Sequence, residues 1–482
     1  MVKRFETRLD KVSYVYDGEL ENGIFDIQAD IKEGEGILLC GKSGCGKTTI
    51  TKLINGLIPN FDEGEKKGFV YIGMENIDDL PIYKISETVA SVFQNPKSQF
   101  FNLEPESEIV FSLENMGIPL SEVEKRLKET VSDLGIGHLM TKTMFGMSGG
   151  EKQIIAFACA YATNASIIVL DEPSANLDHA TTQVIGEIMK KMKAAGKTII
   201  IAEHKISYLK DIVDRVFIIE DGRLTETYGA EIFFGMDDEW RKSHGLRRLR
   251  ENCGFEPVIK NKIIKNCMGV KRHVLEIKGL TLAYGKEIVN SNLSFRLESG
   301  EITALIGGNG IGKSTLSRCI CGLHKEESGI ILFDGADKNC KQRRKASYIV
   351  MQDVNRQLFA DSVENECFLG NPKVSREKVT DILMKFNLYG HKDAHPQALS
   401  GGQKQRLAVA VAVLSEKDII VFDEPTSGLD YENMQRVCES LKKLSEEGKT
   451  IIIVTHDIEL IENVCTRCIE LRSNGIYEAF WR

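Results

Sequence analysis

The stretch Gly41-Lys42-Ser43-Gly44-Cys45-Gly46-Lys47-Thr48-Thr49 decides how this chain folds. It follows an apolar run at residues 36–40 and opens a segment with helical spacing. A strand, a glycine-rich loop and a helix in this order predict a phosphate-binding loop. The glycines let backbone N–H groups turn inward around phosphates, and the helix N-terminus adds partial positive charge. Lys47 would reach the β- and γ-phosphates, and the Thr48 hydroxyl would bind Mg²⁺.

The motif occurs a second time, as Gly307-Gly308-Asn309-Gly310-Ile311-Gly312-Lys313-Ser314-Thr315. It again follows an apolar run, at residues 302–306. Two such loops in matching contexts predict a tandem repeat of two α/β nucleotide-binding domains. We expect the first domain at residues 1–232, a linker at 233–272 and the second domain at 273–482.

Composition narrows the class of protein. The 482 residues suit two or three domains, and 42% hydrophobic with 27% charged residues is ordinary for a soluble globular protein. The net charge of −8 disfavours a nucleic-acid binder that relies on bulk charge. No apolar run approaches the roughly 18 residues that cross a bilayer, so a membrane role would need a partner. The 12 scattered cysteines indicate a reducing, cytosolic environment.

Each half also carries two carboxylates at the end of an apolar strand, followed by a histidine. Asp171-Glu172 and Asp423-Glu424 each follow four apolar residues, which predicts a strand buried on both faces of a parallel sheet. Such strands present their ligands at the carboxyl end. His204 in the first half corresponds to His456 in the second half. The two histidines are 252 residues apart in sequence, and so are the two Asp-Glu pairs.

These residue types suit the hydrolysis of a phosphoanhydride. The aspartates suit Mg²⁺, and the glutamates suit a general base that polarises the attacking water. The histidines could hold the γ-phosphate and that water in line. We therefore predict Glu172, Glu424, His204 and His456 as the catalytic residues.

Tyr16 and Tyr284 lie just ahead of the two phosphate loops. An aromatic ring at this place could stack on adenine with little discrimination among bases. The alternative is a half-buried tyrosine within a strand. Because both halves repeat the feature, stacking is the favoured interpretation.

With the cluster Ser400-Gly401-Gly402-Gln403-Lys404-Gln405-Arg406, the chain resembles the ABC ATPases over nearly all of both halves. Ser148-Gly149-Gly150 is the matching cluster in the first half. The resemblance implies two P-loop NTPase domains, each with a RecA-like mixed sheet core, a helical subdomain and an N-terminal antiparallel β part. It also implies head-to-tail pairing, in which the first cluster closes over ATP at Lys313 and the second over ATP at Lys47.

The resemblance extends to the energy-coupling-factor (ECF) ATPases, the fused kind that drives micronutrient import. It rests on the pair Gln94-Asn95-Pro96…Gln99 and Gln352-Asp353…Gln357-Leu358-Phe359. In that family the segment after the first glutamine contacts coupling helices of an integral membrane subunit, and a separate small membrane protein captures the substrate. This implies a peripheral location on the cytoplasmic face of the cell membrane. The transported vitamin or metal ion is not identifiable from this chain.

The resemblance completes the set of expected ligands. The residues expected to bind ATP are Tyr16, Gly41, Ser43, Gly44, Cys45, Gly46, Lys47, Thr48, Thr49, Gln94, Ser148, Gly149, Gly150, Tyr284, Gly307, Asn309, Gly310, Gly312, Lys313, Ser314, Thr315, Gln352, Ser400, Gly401, Gly402 and Gln403. Those expected to bind Mg²⁺ are Thr48, Gln94, Asp171, Ser314, Gln352 and Asp423.

Two residues depart from the family pattern, and two rival functions remain. Glu151 stands where the family has glutamine and Ile154 where Arg406 stands, so a carboxylate would face ATP at Lys313 and weaken that site. One rival is a soluble tandem ABC ATPase that acts on ribosomes or nucleic acid. The other is a sugar-importer ATPase, whose second loop commonly departs from the standard motif. The basic residues of 233–272 predict a connecting linker that is partly helical and solvated, with contact to a membrane surface or RNA as the alternative.

Overall fold

The computed structural model describes residues 6–17, 23–94, 96, 99–175, 177–249, 273–285, 287–473 and 475–479. The chain divides into two compact units, Met1–Glu251 and Asn252–Arg482. Asn95, Asn176 and residues 250–272, which carry part of the predicted motifs and linker, lie outside the described residues.

Unit 1 combines two sheets with helices. Its strands are β1 (Thr7–Tyr16), β2 (Gly23–Ile31), β3 (Gly36–Cys40), β4 (Gly64–Ile72), β5 (Glu75–Asn76), β6 (Val89–Val92), β7 (Ile167–Asp171), β8 (Thr198–Ala202), β9 (Arg215–Glu220) and β10 (Arg223–Gly229). Its helices are α1 (Lys47–Ile54), α2 (Leu57–Asn60), α3 (Ile82–Thr88), α4 (Pro105–Asn115), α5 (Leu120–Leu134), α6 (Gly149–Thr163), α7 (His179–Ala194), α8 (Ala230–Gly235) and α9 (Asp238–Ser243).

The two sheets of unit 1 differ in strand direction. One has the order β2-β1-β4-β5 and is antiparallel. The other has the order β10-β9-β3-β8-β7-β6, and all its pairs are parallel except β9 with β10. This order sets the carboxyl ends of β3, β8, β7 and β6 side by side.

Strand β3 is buried on both faces, as its unbroken apolar sequence predicts. Ile37 and Leu39 belong to the core that includes residues of the antiparallel sheet and α1. Leu38 and Cys40 belong to the core that includes residues of α6 and α7. A third core, which includes Ile109, joins α4, α5 and α6 into the predicted helical subdomain.

Unit 2 repeats this architecture. Its strands are β11 (Val274–Tyr284), β12 (Glu287–Glu298), β13 (Ile302–Ile306), β14 (Ser328–Phe333), β15 (Ala336–Asp337), β16 (Ser347–Val350), β17 (Ile419–Asp423), β18 (Thr450–Val454), β19 (Arg467–Arg472) and β20 (Gly475–Ala479). Its helices are α10 (Lys313–Ile320), α11 (Cys340–Ala346), α12 (Val363–Gly370), α13 (Arg376–Lys385), α14 (Gly401–Leu414), α15 (Tyr431–Glu446) and α16 (Ile458–Val464). The sheet orders are β12-β11-β14-β15 and β16-β17-β18-β13-β19-β20. The predicted fold class, with its mixed core sheet, helical subdomain and antiparallel part, is confirmed.

Part of the segment predicted to be a solvated linker folds onto unit 1. Phe233 and Leu246 belong to the same buried core as β7 and β8, and Trp240 packs against that core. Arg241 is 3% exposed, and its guanidinium donates to the Phe233 carbonyl at 3.1 Å. Arg247 is also buried. Up to residue 249 the segment is therefore partly helical, as expected, but it is not a solvated linker, because its aromatic residues pack in the core of unit 1.

Within the described residues, no helix is both long enough and apolar enough to span a bilayer.

Adjacent residues of α8 test whether this segment belongs to the core of unit 1. Phe233 is fully buried, whereas Ile232 is 64% exposed. We expect Phe233→Ala to lower the free energy of unfolding of unit 1 by about 3–5 kcal/mol, and Ile232→Ala to change it by less than about 0.5 kcal/mol. Chemical denaturation of the full chain measures both. Equal, small effects would mean that α8 is not part of the core.

Candidate nucleotide-binding and hydrolysis sites

In unit 1 the phosphate loop closes around its own lysine. Gly46 has a φ of 103° and precedes Lys47, the first residue of α1. A Cβ on Gly46 would lie 2.5 Å from Ile24 Cγ2, so only glycine fits this turn. Lys47 Nζ donates to the carbonyls of Gly41 and Lys42, at 2.9 Å in both cases. The loop is therefore wound around a buried ammonium that can also meet a phosphate.

The loop of unit 2 has the same geometry. Gly312 has a φ of 104° and α10 begins at Lys313. Lys313 Nζ donates to the Gly307 carbonyl at 2.7 Å and to the Gly308 carbonyl at 3.0 Å. The two predicted loops thus form the same cradle in both units.

A hydroxyl and a carboxylate meet beside each loop. Thr48 Oγ1 lies 3.1 Å from Asp171 Oδ1, and Ser314 Oγ lies 2.8 Å from Asp423 Oδ2. Oxygen ligands of these two kinds are those that Mg²⁺ prefers. The donor set therefore fits a magnesium ion bound between the loop hydroxyl and the end of β7 or β17.

Burial dominates the electrostatics of these carboxylates. It raises the pKa of Asp171 to about 6, although Thr48 and Lys47 act in the opposite direction. Burial, followed by repulsion from Asp171 and Glu203, raises the pKa of Glu172 to about 8. Burial also raises the pKa of Asp423. Because desolvation disfavours the charged form, a cation in this place would be strongly favoured.

Both predicted bases have an unusual backbone. The φ angles of Glu172 and Glu424 are 45° and 52°, in the left-handed region that residues other than glycine rarely adopt. Each amide donates at 2.8 Å to the neighbouring strand, to the Ala202 carbonyl and the Val454 carbonyl respectively. Strain of this kind concentrates at functional sites. Its repetition in both units supports a special role for the two glutamates.

In unit 1 two predicted residues, Gln94 and His204, approach the carboxylate of a third, Glu172. Gln94 Nε2 donates to Glu172 Oε2 at 2.6 Å, and His204 Nε2 lies 3.7 Å from Glu172 Oε1. His204 Nε2 is buried and has no hydrogen-bond partner among the described residues. Burial, then the positive charges of Lys47 and Arg247, lowers the pKa of His204 well below its usual value. A neutral imidazole with an unsatisfied nitrogen suits a bound phosphate oxygen or water.

In unit 2 the corresponding base is held differently. Thr455 Oγ1 donates to Glu424 Oε2 at 3.0 Å, and the His456 amide donates to Glu424 Oε1 at 3.2 Å. Gln352, the counterpart of Gln94, has an exposed side chain.

The two tyrosines predicted to stack on adenine have different surroundings. The Tyr16 hydroxyl lies 3.2 Å from Thr49 Oγ1, and Lys52 Nζ lies 5.8 Å from the centre of its ring. Tyr284 is 48% exposed and its ring lies 4.6 Å from that of His324. Tyr16 is therefore half-buried and packs against the core, whereas Tyr284 is exposed, and stacking on the base stays a prediction in both units.

The Ser-Gly-Gly clusters begin the helices α6 and α14. Ser148 and Glu151 form a reciprocal capping box, as do Ser400 and Gln403.

Lys142 Nζ donates to Glu151 Oε1 at 2.6 Å. Burial alone would raise the pKa of Glu151, but the bonds from Lys142 and Ser148 leave it lowered. Glu151 is thus an anion whose charge is balanced by Lys142, which the sequence had not indicated.

The structure brings most of the predicted residues of each unit to one edge of its core sheet. Near that edge lie the phosphate loop, the Asp-Glu pair and the histidine of the same unit. The serine and glycines of each signature instead lie at the start of a helix in the helical subdomain of their own unit. Pairing of one unit's signature with the other's loop stays a prediction. Three residues near the sites escaped the sequence interpretation, namely Glu203, Thr455 and Arg247.

Comparison with known proteins decides the family. The family model described as ABC transporter matches residues 24–175 and 290–427. A Treponema denticola protein, provisionally named an ABC transporter ATP-binding protein, is 46% identical over 469 residues, which cover 97% of this chain and 96% of that protein. The chain belongs to the ABC transporter family.

Other members and folds extend this result. The Bacillus subtilis protein provisionally named HMP/thiamine import ATP-binding protein YkoD is 30% identical, over 97% of this chain and 90% of its own. A solved structure of RNase-L Inhibitor covers 98% of this chain and 91% of that chain, with a TM-score of 0.63 and 20% identity, which shows a shared fold alone. Family membership implies that the two ABC ATPase units bind and hydrolyse ATP.

The predicted bases can be tested together in this ABC ATPase. We expect Glu172→Gln with Glu424→Gln to lower ATP turnover by at least about 10²-fold, because amides cannot accept the proton of water. ATP binding should persist, since the loop lysines are unchanged. Steady-state phosphate release and equilibrium nucleotide binding measure the two effects.

The repeat supplies a matched control for that variant. Glu187→Gln with Glu439→Gln removes two carboxylates at corresponding exposed positions of α7 and α15. This variant should keep wild-type turnover. Turnover within a few-fold of wild type for the first variant would contradict the assignment of the bases.

Proposed function

We propose that this chain is the ATP-hydrolysing subunit of an ECF-type importer for a vitamin or metal-ion micronutrient. The two units would close around two ATP molecules, each held between the loop of one unit and the signature of the other. Closure and hydrolysis would drive an integral membrane subunit through its coupling helices. A separate small membrane protein would bind the transported compound.

The residues of each edge suit distinct tasks in hydrolysis. Lys47 and Lys313 would hold the β- and γ-phosphates. Glu172 and Glu424 would accept a proton from the attacking water, while the imidazole of each unit's histidine would orient that water and the γ-phosphate. Magnesium, when bound, would neutralise the charge that develops on the phosphates. Thr48 and Asp171, or Ser314 and Asp423, would hold it.

Two exposed phenylalanines, one in each unit, support a contact with a membrane partner. Each unit presents one exposed phenylalanine on the segment that follows its first glutamine, Phe101 at 76% and Phe359 at 74% exposure. The buried carboxylate of Glu108 accepts a hydrogen bond from the Phe101 amide at 3.0 Å. The buried carboxylate of Glu366 accepts one from the Phe359 amide at 2.7 Å. A large exposed apolar side chain on a backbone that a buried carboxylate anchors, repeated in both units, supports a contact site.

In unit 1 the phenylalanine lines an open cavity of about 590 Å³. The Phe101 ring stacks on that of Phe111, 5.2 Å away, and Tyr83, which also lines the cavity, is 64% exposed. An aromatic cleft of this kind fits the apolar face of a helix. The occupant would be a coupling helix of the membrane subunit.

The second glutamine of each segment binds the backbone of the preceding strand and its end. Gln99 accepts from the Phe93 amide at 3.1 Å and donates to the Ser91 carbonyl at 3.2 Å. Gln357 likewise accepts from Met351 N at 3.0 Å and donates to the Ile349 carbonyl at 2.6 Å. These amides brace the segment against its strand, so the docking contact is better assigned to the phenylalanines. The name of YkoD, which refers to import of HMP and thiamine, supports a micronutrient substrate.

Copurification tests the partner. We expect the wild-type chain to copurify from solubilised membranes with two integral proteins, and Phe101→Ala with Phe359→Ala to reduce their recovery at least about tenfold, as loss of central aromatic anchors does elsewhere. Basal ATPase activity should change little, because neither ring lies at the edge that holds the loop. Phe61→Ala is the control, since Phe61 is 70% exposed and outside this cleft. Recovery with ribosomes instead would favour the soluble rival.

The head-to-tail pairing can be tested through the balanced charge on Glu151. In a Lys47→Ala background, Lys142→Met should weaken ATP binding at the Lys313 site by up to about 2 kcal/mol, because it leaves a carboxylate about 8 Å from a phosphate at an effective dielectric near 20. Adding Glu151→Gln should restore the affinity. Equilibrium nucleotide binding measures the cycle.

The reciprocal background controls the test. With Lys313→Ala, the same changes at Lys142 and Glu151 should leave ATP affinity at the Lys47 site unchanged. An effect there, and not at Lys313, would show that each signature serves the loop of its own unit.

A further inference from the structure

The residue that directly precedes the active-site histidine differs between the two units. It is Glu203 in unit 1 and Thr455 in unit 2, at the matching place after β8 and β18. Both side chains are buried, with exposures of 3% and 0%. A carboxylate and a hydroxyl at this depth must find different partners, because only the hydroxyl can donate a hydrogen bond to another carboxylate.

In unit 2 the residue at this position, Thr455, forms a hydrogen bond with the predicted base, Glu424. Thr455 Oγ1 donates to one oxygen of Glu424 at 3.0 Å, and the next amide, that of His456, donates to the other oxygen at 3.2 Å. Both oxygens of the Glu424 carboxylate are thereby fixed in direction by the loop that carries the histidine.

In unit 1 the backbone amides of the same loop donate hydrogen bonds to Glu203. The His204 amide donates to Glu203 Oε1 at 2.7 Å, as does the Lys205 amide at 3.1 Å. Glu203 Oε2 accepts from the Ser174 hydroxyl at 2.7 Å and from the Tyr208 hydroxyl at 3.0 Å. The amide that holds the base in unit 2 is therefore occupied by Glu203 in unit 1.

Glu172 is consequently left with side-chain contacts that can move. Gln94 Nε2 binds it at 2.6 Å, and His204 Nε2 lies 3.7 Å away, beyond hydrogen-bond distance. A glutamine side chain on a loop positions a carboxylate less firmly than a backbone amide and a β-branched hydroxyl do, because its rotamers are more numerous.

A second difference explains why Glu203 is needed. In unit 2, Asp457 Oδ2 accepts from the Thr426 hydroxyl at 2.6 Å and so ties the histidine loop to the turn after β17. Lys205 occupies the matching place in unit 1 and cannot accept this bond. Glu203 makes the equivalent tie, to Ser174, two residues earlier. Unit 1 therefore keeps a hydrogen bond between the histidine loop and this turn. Because Glu203 makes it and also accepts from the His204 amide, that amide is not available to Glu172.

We propose that Glu203 is a positioning residue that leaves the general base of unit 1 less firmly held, so that the site of Lys47 hydrolyses ATP more slowly than that of Lys313. The inference rests on the proposed catalytic roles of Glu172 and Glu424. Fixed orientation of a base lowers the activation barrier because no rearrangement is needed at the moment of reaction. The residue before the histidine thus sets the relative rates of the two sites.

Transplanting the unit 2 arrangement tests this inference in the full chain. In a Glu424→Gln background, only the base of unit 1 remains. There Glu203→Thr with Lys205→Asp supplies both the hydroxyl donor and the tie to Ser174. We expect kcat to rise about tenfold, the size of effect that one charge-assisted hydrogen bond can have. The KM for ATP, equilibrium ATP binding and the thermal midpoint should stay close to those of the background.

The reciprocal experiment covers the case in which that transplant does not fold. In a Glu172→Gln background, Thr455→Val keeps the shape of the side chain and removes the donor. It should lower kcat about tenfold without changing the KM, and Thr455→Ser should restore kcat. Changes in KM alone, or no rescue by serine, would assign Thr455 a structural role and overturn the inference.

The outcomes separate this inference from the function on which it rests. If the wild-type chain hydrolyses ATP but neither transplant nor removal changes kcat by more than about twofold, the inference is wrong and the ATPase assignment stands. If the wild-type chain has no ATPase activity that depends on the two glutamates, the proposed function itself fails. The measurements use no membrane partner, so they do not depend on the importer assignment.

Discussion

The parallel pairing of four strands is the constraint on which each site depends. In unit 1, β3, β8, β7 and β6 are neighbours in that order, so their carboxyl ends form one row. That row carries the loop, the histidine, the Asp-Glu pair and Gln94, although these residues are far apart in sequence. Backbone hydrogen bonds between these strands fix their register. The register is strongly specified, because a slip of one residue would turn every side chain of a strand to the opposite face of the sheet. Unit 2 builds the same row from β13, β18, β17 and β16.

The row has an electrostatic cost that shapes both sites. It brings Asp171, Glu172 and Glu203 close together, and burial raises the pKa of the first two. Buried carboxylates are tolerated where donors or cations meet them. Thr48 and Gln94 supply such donors here, and Lys47 lies close enough to oppose both pKa shifts. How the available donors are divided among the carboxylates then distinguishes the two units, since Glu203 competes with Glu172 and Thr455 serves Glu424.

Motifs that act through neighbouring residues could be predicted from the sequence. The loop, the strand that precedes it and the helix that follows are a local pattern, and both copies fold as expected around Lys47 and Lys313. The capping serines of α6 and α14 are also local. The burial of Phe233 could not be predicted, because its partners in the core lie in strands distant in sequence. The pairing of Glu151 with Lys142 depends in the same way on how the chain turns before α6.

The tandem repeat, the family and the identity of the residues at each strand end follow from the sequence alone, because these are properties of short segments and of their repetition. The tertiary structure decided which donors each carboxylate receives. Glu203 and Thr455 occupy the same place beside a histidine, yet only the fold shows that one takes the amide of His204 while the other leaves that of His456 to the base. The physical reason is that a buried hydrogen bond depends on ångström-scale distances across several strands, which no single segment specifies.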